Sequence, residues 1–147
     1  MNKEITLRPA SMEDAETLLE WRNDPDTRKA SHSTEEVDRS EHFSWFSRTL
    51  KNTDRKLYVA EKDGDAIGTV RADVSNGVWE LSWTIAPKLR GRGLAKTMVS
   101  LLAKNIKEPV CAEVKAENTA SAKIAEYAGM TLQSEKDGVL YYFRAAF

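Results

Sequence analysis

Gly91-Arg92-Gly93 stands between an alternating stretch, Leu81-Ser82-Trp83-Thr84-Ile85, and a helix-like run, Leu94 to Leu102. A glycine-containing basic turn that opens a helix gathers free backbone N–H groups at the positive end of the helix dipole. Such a spot holds an anion, usually a phosphate. A tight strand-to-helix turn without a ligand is the competing reading. On the strand before the turn, Glu80, Ser82 and Thr84 alternate onto one face, and Leu81, Trp83 and Ile85 onto the other. A carboxylate and two hydroxyls therefore stand on the strand that feeds the turn, and Lys88-Leu89-Arg90-Gly91-Arg92 concentrates positive charge beside them.

Other chemistries are absent or weak. Cys111, the single cysteine, lies in an apolar run and reads as a buried, inert thiol. No cluster of His, Cys and carboxylate has metal-ligand spacing, so no metal is expected. The turn lacks the Gly-Lys-Ser/Thr ending of a Walker loop and the third glycine of the dinucleotide fingerprint. A formal net charge of −1 gives no global attraction to nucleic acid or to an anionic membrane. No apolar stretch reaches transmembrane length, and Met1-Asn2-Lys3-Glu4 runs into a strand pattern without a signal peptide. The expectation is a cytoplasmic location.

The elements that must position these groups follow from pattern. With 147 residues the chain suits one core, and residues 1–147 are read as a single domain. Ile5 to Arg8 alternates as a first strand. Ser11 and Asp14 form an aspartate variant of a capping box, and a helix follows with Ala15, Leu18 and Leu19 inward. Trp21-Arg22-Asn23 closes that helix, because Pro25 disfavours helical geometry at Asp24. Thr27 to Asp38 is polar and carries no clear pattern. From Arg39 to Leu50 the helical period returns, with Phe43, Phe46 and Leu50 on one face and His42, Trp45 and Thr49 on a neighbouring one. Three strand patterns turn at Asp63-Gly64 and Asn76-Gly77. After the glycine turn and its helix come a strand from Val110 to Val114 and a helix opened by Asn118, with Ala120, Ile124 and Ala128 inward. Gly129 caps its end, and two strands flank Asp137-Gly138. The fold class is α+β, a mixed, mostly antiparallel central sheet flanked by helices. The exposed hairpins and Trp79 leave room for a homodimer.

The order of elements and two segments resemble the GNAT N-acetyltransferase superfamily over nearly the whole chain. Lys88 to Ala95 resembles the acetyl-CoA pyrophosphate loop, with Lys88 where glutamine or arginine is usual. Asn118-Thr119-Ala120-Ser121 through Gly129-Met130 resembles the second signature. Trp21-Arg22-Asn23-Asp24-Pro25 and Glu41-His42-Phe43-Ser44-Trp45-Phe46 look like the subgroup that acetylates nucleotide-linked amino sugars, as in the pseudaminic acid pathway. The tryptophan-arginine-asparagine element also occurs in members that acetylate protein N-termini.

The resemblance implies a GNAT-like fold, acetyl-CoA as co-substrate and a small-molecule amine as acceptor. It assigns the pyrophosphate to N–H groups of Arg90, Gly91, Arg92, Gly93, Leu94 and Ala95, with Lys88 alongside. It places the pantetheine arm on the backbone of Trp83, Thr84 and Ile85, with Glu113 to Lys115 opposite. Asn118 could bond the pantetheine amides or cap its helix, and Ser121 could face the cofactor or support the helix start. Glu80 resembles the glutamate that accepts the amine's proton, with Ser82 on the same face. The alternative for Glu80 is a solvated surface charge. The usual tyrosine acid is missing, since Ala125 occupies its position. Tyr141, Tyr142 or solvent would substitute, and Tyr127 should face elsewhere.

Arg22 and His42 would hold an anionic group of the acceptor, and Trp45 would stack on a base or sugar. Against these stand an Arg22 salt bridge with Asp24 or Glu20, ordinary burial of His42, and core packing of Trp45. A protein N-terminus or another small amine is the alternative acceptor. A non-catalytic acyl-CoA-binding module and a phosphate site for another nucleotide are the rival classes.

Overall fold

The three hairpins are set by pairs of residues at positive φ: Asp63 and Gly64 (57° and 81°), Asn76 and Gly77 (52° and 79°), Asp137 and Gly138 (52° and 77°). This is the geometry in which a two-residue turn matches the twist of the strands it joins. The computed structural model describes residues 4–147. β1 (Thr6–Pro9) passes through a 3₁₀ turn, Met12–Asp14, into α1 (Ala15–Asn23), α2 (Pro25–Ala30) and α3 (Arg39–Lys51). β2 (Arg55–Lys62), β3 (Asp65–Ser75) and β4 (Val78–Ile85) follow as a meander. A second 3₁₀ turn, Pro87–Leu89, precedes α4 (Leu94–Lys104); then come β5 (Val110–Lys115), α5 (Thr119–Tyr127), β6 (Thr131–Lys136) and β7 (Val139–Arg144). The seven strands lie in the order β1-β2-β3-β4-β5-β7-β6. Only β4 and β5 are parallel neighbours.

Apolar alternation builds a core on each face of the sheet. On one face α4 and α5 cover Val70, Ala72, Leu81, Val110, Ala112 and Val114, with Met98, Val99 and Leu102 of α4 buried against them. On the other, Leu18 and Trp21 of α1 and Phe46 of α3 pack with Val59 and Ala86. The second layer covers the β1–β2 side of the sheet, and the polar positions of β3 and β4 lie beside it. Asp14 fixes the approach to α1. Its carboxylate accepts from the Ser11 N–H at 2.9 Å and from two Arg8 nitrogens at 2.9 and 2.8 Å.

Four expectations change. Pro25 ends α1 but also opens α2, because proline suits a first helical position and the Asp24 carboxylate caps the N–H groups of Asp26 and Thr27. The buried face of α3 is His42, Phe46 and Thr49; Phe43 is half-buried and Leu50 exposed. Ala120 is exposed, and the inward face of α5 is carried by Ala125, with Ala128 at the cap. Trp79 is buried, with its indole N–H donating to Glu108 at 3.3 Å, so it offers no ring for self-association. No helix among the described residues is long and apolar enough to cross a membrane.

Gly68 lets α4 approach the sheet beneath the glycine turn. A Cβ there would stand 2.5 Å from the Thr84 carbonyl oxygen and 2.7 and 2.9 Å from Met98 Cε and Sδ. The sulfur could swing aside, but the backbone carbonyl cannot. Gly68→Ala is therefore expected to destabilise by about 2–3 kcal/mol, measured as a lowered urea midpoint at unchanged m-value.

Candidate active site

β4 and β5 share only two register pairs, Trp79↔Val110 and Glu80↔Cys111. Beyond them the strands part. β4 keeps its ladder with β3 as far as Ile85, and β5 keeps its ladder with β7 as far as Lys115. The facing edges of Leu81–Ile85 and Ala112–Lys115 form no ladder with each other. The result is a wedge in mid-sheet with Glu80 at its closed end and the glycine turn above its β4 side.

Gly91 and Gly93 both adopt the left-handed conformation, at φ 77° and 74°, and Gly93 is the N-cap of α4. A Cβ at either would meet nothing within 4 Å. Glycine is thus needed for the backbone angle, and open space lies above the turn. Among the described residues no side chain caps the first amides of α4, and its first turn holds no acidic residue. α2, α3 and α5 are instead capped by Asp24, Asp38 and Asn118. Lys88 and Arg92 are exposed. The Arg90 side chain points away from the turn, donating to Asp24 Oδ2 at 2.5 Å and Thr27 Oγ1 at 2.7 Å. What Arg90 can offer an anion here is its backbone N–H.

Asn118 caps α5, accepting from the Ser121 N–H at 3.0 Å. Ser121 Oγ accepts from the Trp83 indole N–H at 3.3 Å, which ties the start of α5 to the free edge of β4. Thr84 and Ile85 are half-buried on that edge. Ala125 is fully buried. Tyr142 is buried and donates to Glu126 Oε2 at 3.4 Å, while Tyr127 is 61% exposed against Lys96. Tyr141 lies opposite Glu113 and shares its face of the sheet.

Glu80 and Ser82 are both exposed, as the surface-charge alternative for Glu80 requires, and Glu113 is exposed too. Partial burial of the carboxyl pushes its pKa above the usual glutamate range; Glu113 and Asp73 push the same way and Arg71 opposes them. The registers Asp73↔Glu80 and Arg71↔Ser82 put these side chains on one face. Arg71 and Asp73 pair at 3.2 Å, and Asp73 also meets Arg55 at 3.4 Å.

The acceptor-side candidates form a chain of contacts. His42 is fully buried. Its Nε2–H donates to the Ala15 carbonyl at 2.9 Å, a pairing that fixes the tautomer, and Nδ1 accepts from Arg22 at 2.9 Å. Both ring nitrogens are thus used within the protein. The Arg22 guanidinium lies 4.7 Å from the centre of the Trp45 ring, and that of Arg71 lies 5.6 Å from it. Asp24, considered from sequence as a partner of Arg22, pairs with Arg90 instead. Arg22 makes no ion pair with a carboxylate among the described residues, and burial followed by the Arg71 charge lowers its pKa. A shallow hollow of about 350 Å³ adjoins Trp45, lined also by Arg48, Thr49, Asn52 and Arg55.

The family model for the acetyltransferase (GNAT) domain covers residues 4–131. The chain belongs to the GNAT acetyltransferases. The matched domain is an acetyltransferase domain. The solved structures agree in fold. A domain from Methanocaldococcus jannaschii is similar with TM-score 0.85 at 22% identity, covering 97% of this chain and 99% of that one. Spermidine N-acetyltransferase from Vibrio cholerae, solved with CoA and spermine, gives 0.84 at 18%, covering 97% and 96%. An aminoglycoside acetyltransferase solved with coenzyme A gives 0.83 at 19%, covering 97% and 95%. No curated protein matches the sequence significantly.

Three side chains of this GNAT site escaped the sequence reading. Arg71 and Asp73 were within reach, since counting outward from Asn76-Gly77 places them opposite Ser82 and Glu80. Glu113 was named only as a neighbour of the pantetheine strand. Its approach to Glu80 depends on a parallel register set through α4, which no local signal specifies.

Burial pushes the His42 pKa down, Arg22 adds to this, and the Ala15 carbonyl opposes it. The native ring therefore resists a proton that the unfolded chain takes up near about pH 6.5. This contribution leaves stability unaffected above that pH and lowers it as pH falls below. Between about pH 7.5 and about pH 5.5 the wild-type melting temperature should fall more than that of His42→Gln. Parallel pH slopes in calorimetry would contradict the assignment.

Proposed function

We propose that the enzyme acetylates the amine of a nucleotide-linked amino sugar, and that the acceptor's anionic portion lies against Arg22. The observation that carries this reading is the Arg22 guanidinium itself: half-buried, without a carboxylate partner among the described residues, and held by His42 against Trp45. A buried cation is costly unless an anion compensates it, and a diphosphate supplies one. His42 acts by orienting Arg22. The hollow beside Trp45, with Arg48 and Arg55 on its wall, suits the nucleoside end of such an acceptor.

For the donor, the N–H groups of Arg90 to Ala95 would receive the pyrophosphate, with Lys88 and Arg92 adding charge. The free edge of Trp83, Thr84 and Ile85 would pair with the pantetheine amides, and a β4 N–H would polarise the thioester carbonyl. Asn118 and Ser121 support the site by capping α5 and holding Trp83. Glu80 accepts the ammonium proton, directly or through water beside Ser82. The neutral amine then attacks the thioester carbon in a ternary complex, and the C–S bond breaks.

A second reading, a small polycationic amine, draws on Glu80, Glu113 and Asp73 sharing one face of the sheet. The spermidine and aminoglycoside acetyltransferases that share the fold act on such amines. Calorimetry with acetyl-CoA and thiol release across amino-sugar nucleotides, peptides and polyamines separate the readings. Turnover confined to polyamines would replace the first reading by the second; acetyl-CoA binding without turnover on any acceptor would favour a binding module.

Arg22→Ala should raise KM for a nucleotide amino sugar by about 10-fold or more and leave KM for acetyl-CoA nearly unchanged. Equal effects on both would remove Arg22 from the acceptor site. Glu80→Gln should lower kcat by about 10²–10⁴-fold with acetyl-CoA affinity retained in calorimetry.

A further inference from the structure

The closed end of the wedge holds two carboxyls. Glu80 and Cys111 are the last register pair of β4 and β5, so their side chains share a face. Glu113, two residues along β5, falls on that face as well, where the strands have begun to part. Glu80 and Glu113 therefore stand as neighbours on one face at the mouth of the wedge, and burial followed by the Glu113 charge raises the Glu80 pKa. Two ionised carboxylates are both acceptors, so a hydrogen bond between them requires a shared proton.

Most of the charged groups that face the pair are engaged elsewhere. On β3, Arg71 is engaged by Asp73 at 3.2 Å, and Asp73 stands opposite Glu80. On β5, Cys111 is a neutral thiol raised by burial and by both glutamates. The Lys115 ammonium donates to the Lys29 carbonyl at 2.9 Å. From the loop after α2, His32 Nε2 lies 3.8 Å from Glu113 Oε1, with 64% of its side chain exposed. On β7, Tyr141 lies opposite Glu113.

We propose that Glu80 and Glu113 work as one acid–base pair, with Glu113 a positioning residue beside the base on the neighbouring strand. When both are ionised, the pair takes one proton from the acceptor's ammonium. The N–H bond breaks, an O–H bond forms on Glu80, and Glu113 accepts a hydrogen bond from it. The freed lone pair attacks the thioester carbon and the C–S bond breaks. The second proton lost by the nitrogen neutralises the thiolate, and the proton on the pair returns to water. Burial and the Glu113 charge move Glu80 in the direction that makes such a base effective near neutral pH.

The inference rests on the acetyltransferase reading, but its main test needs no acceptor. The full chain, ¹³C-labelled at glutamate carboxyls, is titrated by NMR as wild type, Glu113→Gln, Glu80→Gln and His32→Gln. In wild type both resonances should show two-step, mutually coupled curves. Glu113→Gln should leave Glu80 a single step at lower pH, and His32→Gln should leave the coupling intact. An unchanged Glu80 curve in Glu113→Gln, or loss of coupling in His32→Gln, would overturn the pair. In thiol release with acetyl-CoA and a nucleotide amino sugar, the acid limb of kcat/KM should move down in Glu113→Gln. A limb that stays in place also counts against it. Failure of that acceptor to turn over would bear on the acceptor assignment and leave the wild-type titration as the deciding measurement.

Discussion

Backbone polar groups inside a sheet are ordinarily all paired, and here the ladder stops short between β4 and β5. The cost of an unpaired buried N–H or C=O is about 1–3 kcal/mol, so such a gap persists only where other contacts fix both sides. They do. β4 is bonded to β3 along its length, and Ala86 N–H extends that attachment to the Ile67 carbonyl at 2.8 Å. β5 is bonded to β7 along its length, and Ala116 N–H reaches the Gly138 carbonyl at 2.8 Å. The two halves of the sheet share only the register pairs Trp79↔Val110 and Glu80↔Cys111. The strand edge is open because the rest of the fold closes elsewhere, and an amide-bearing chain that enters the wedge completes hydrogen bonds the protein lacks.

The same economy organises the charges. Around the wedge, Arg90 is taken by Asp24 and Thr27, Lys115 by the Lys29 carbonyl, and Arg71 and Arg55 by Asp73. The first two of these bonds fasten the ends of α2, a six-residue helix with no buried residue, to the glycine turn and to the end of β5. Polar bonds thus hold both ends of α2, and they link the glycine turn to the helices on the other face. Arg22, by contrast, has no carboxylate partner among the described residues, and its guanidinium rests against His42 and Trp45. Perturbed charges of this kind cluster at functional sites, which is what supports the acceptor proposal.

Much of this was legible before any coordinates, and for identifiable reasons. Asp-Gly and Asn-Gly dipeptides admit positive φ and few alternatives, so the hairpins and the antiparallel register followed from local chemistry. Asn118 as a cap and Gly91-Arg92-Gly93 as a turn are likewise local. What was not legible is non-local or ambiguous. Pro25 both stops one helix and starts the next, and the sequence alone shows only the first effect. On α3 the apolar count favoured Phe43 and Leu50, yet His42 is the residue buried beside Phe46, because its ring nitrogens find the Ala15 carbonyl and Arg22. A polar side chain with both partners satisfied can replace an apolar one in a core, and no periodicity reveals its partners. The Arg90–Asp24 bond and the approach of Glu113 to Glu80 join residues far apart in the chain, and only the assembled sheet brings them together.

The missing tyrosine at Ala125 is a smaller loss than it first looks. A phenol near pKa 10 is a weak acid, and protonating an alkyl thiolate from it gives little driving force. The nitrogen of the tetrahedral intermediate, cationic until it releases its proton, is a far stronger acid than a phenol and lies one bond from the carbon that expels sulfur. Once the amine has attacked, a proton for the thiolate is already present in the reacting group. The demanding step is the earlier one, in which an ammonium must lose its first proton at neutral pH. A carboxyl with ordinary acidity is a poor match for that task, and a carboxyl beside a second carboxyl, as proposed for Glu80 and Glu113, would be a better one. Position 125 meanwhile holds a small side chain, fully buried, that seats α5 against the sheet.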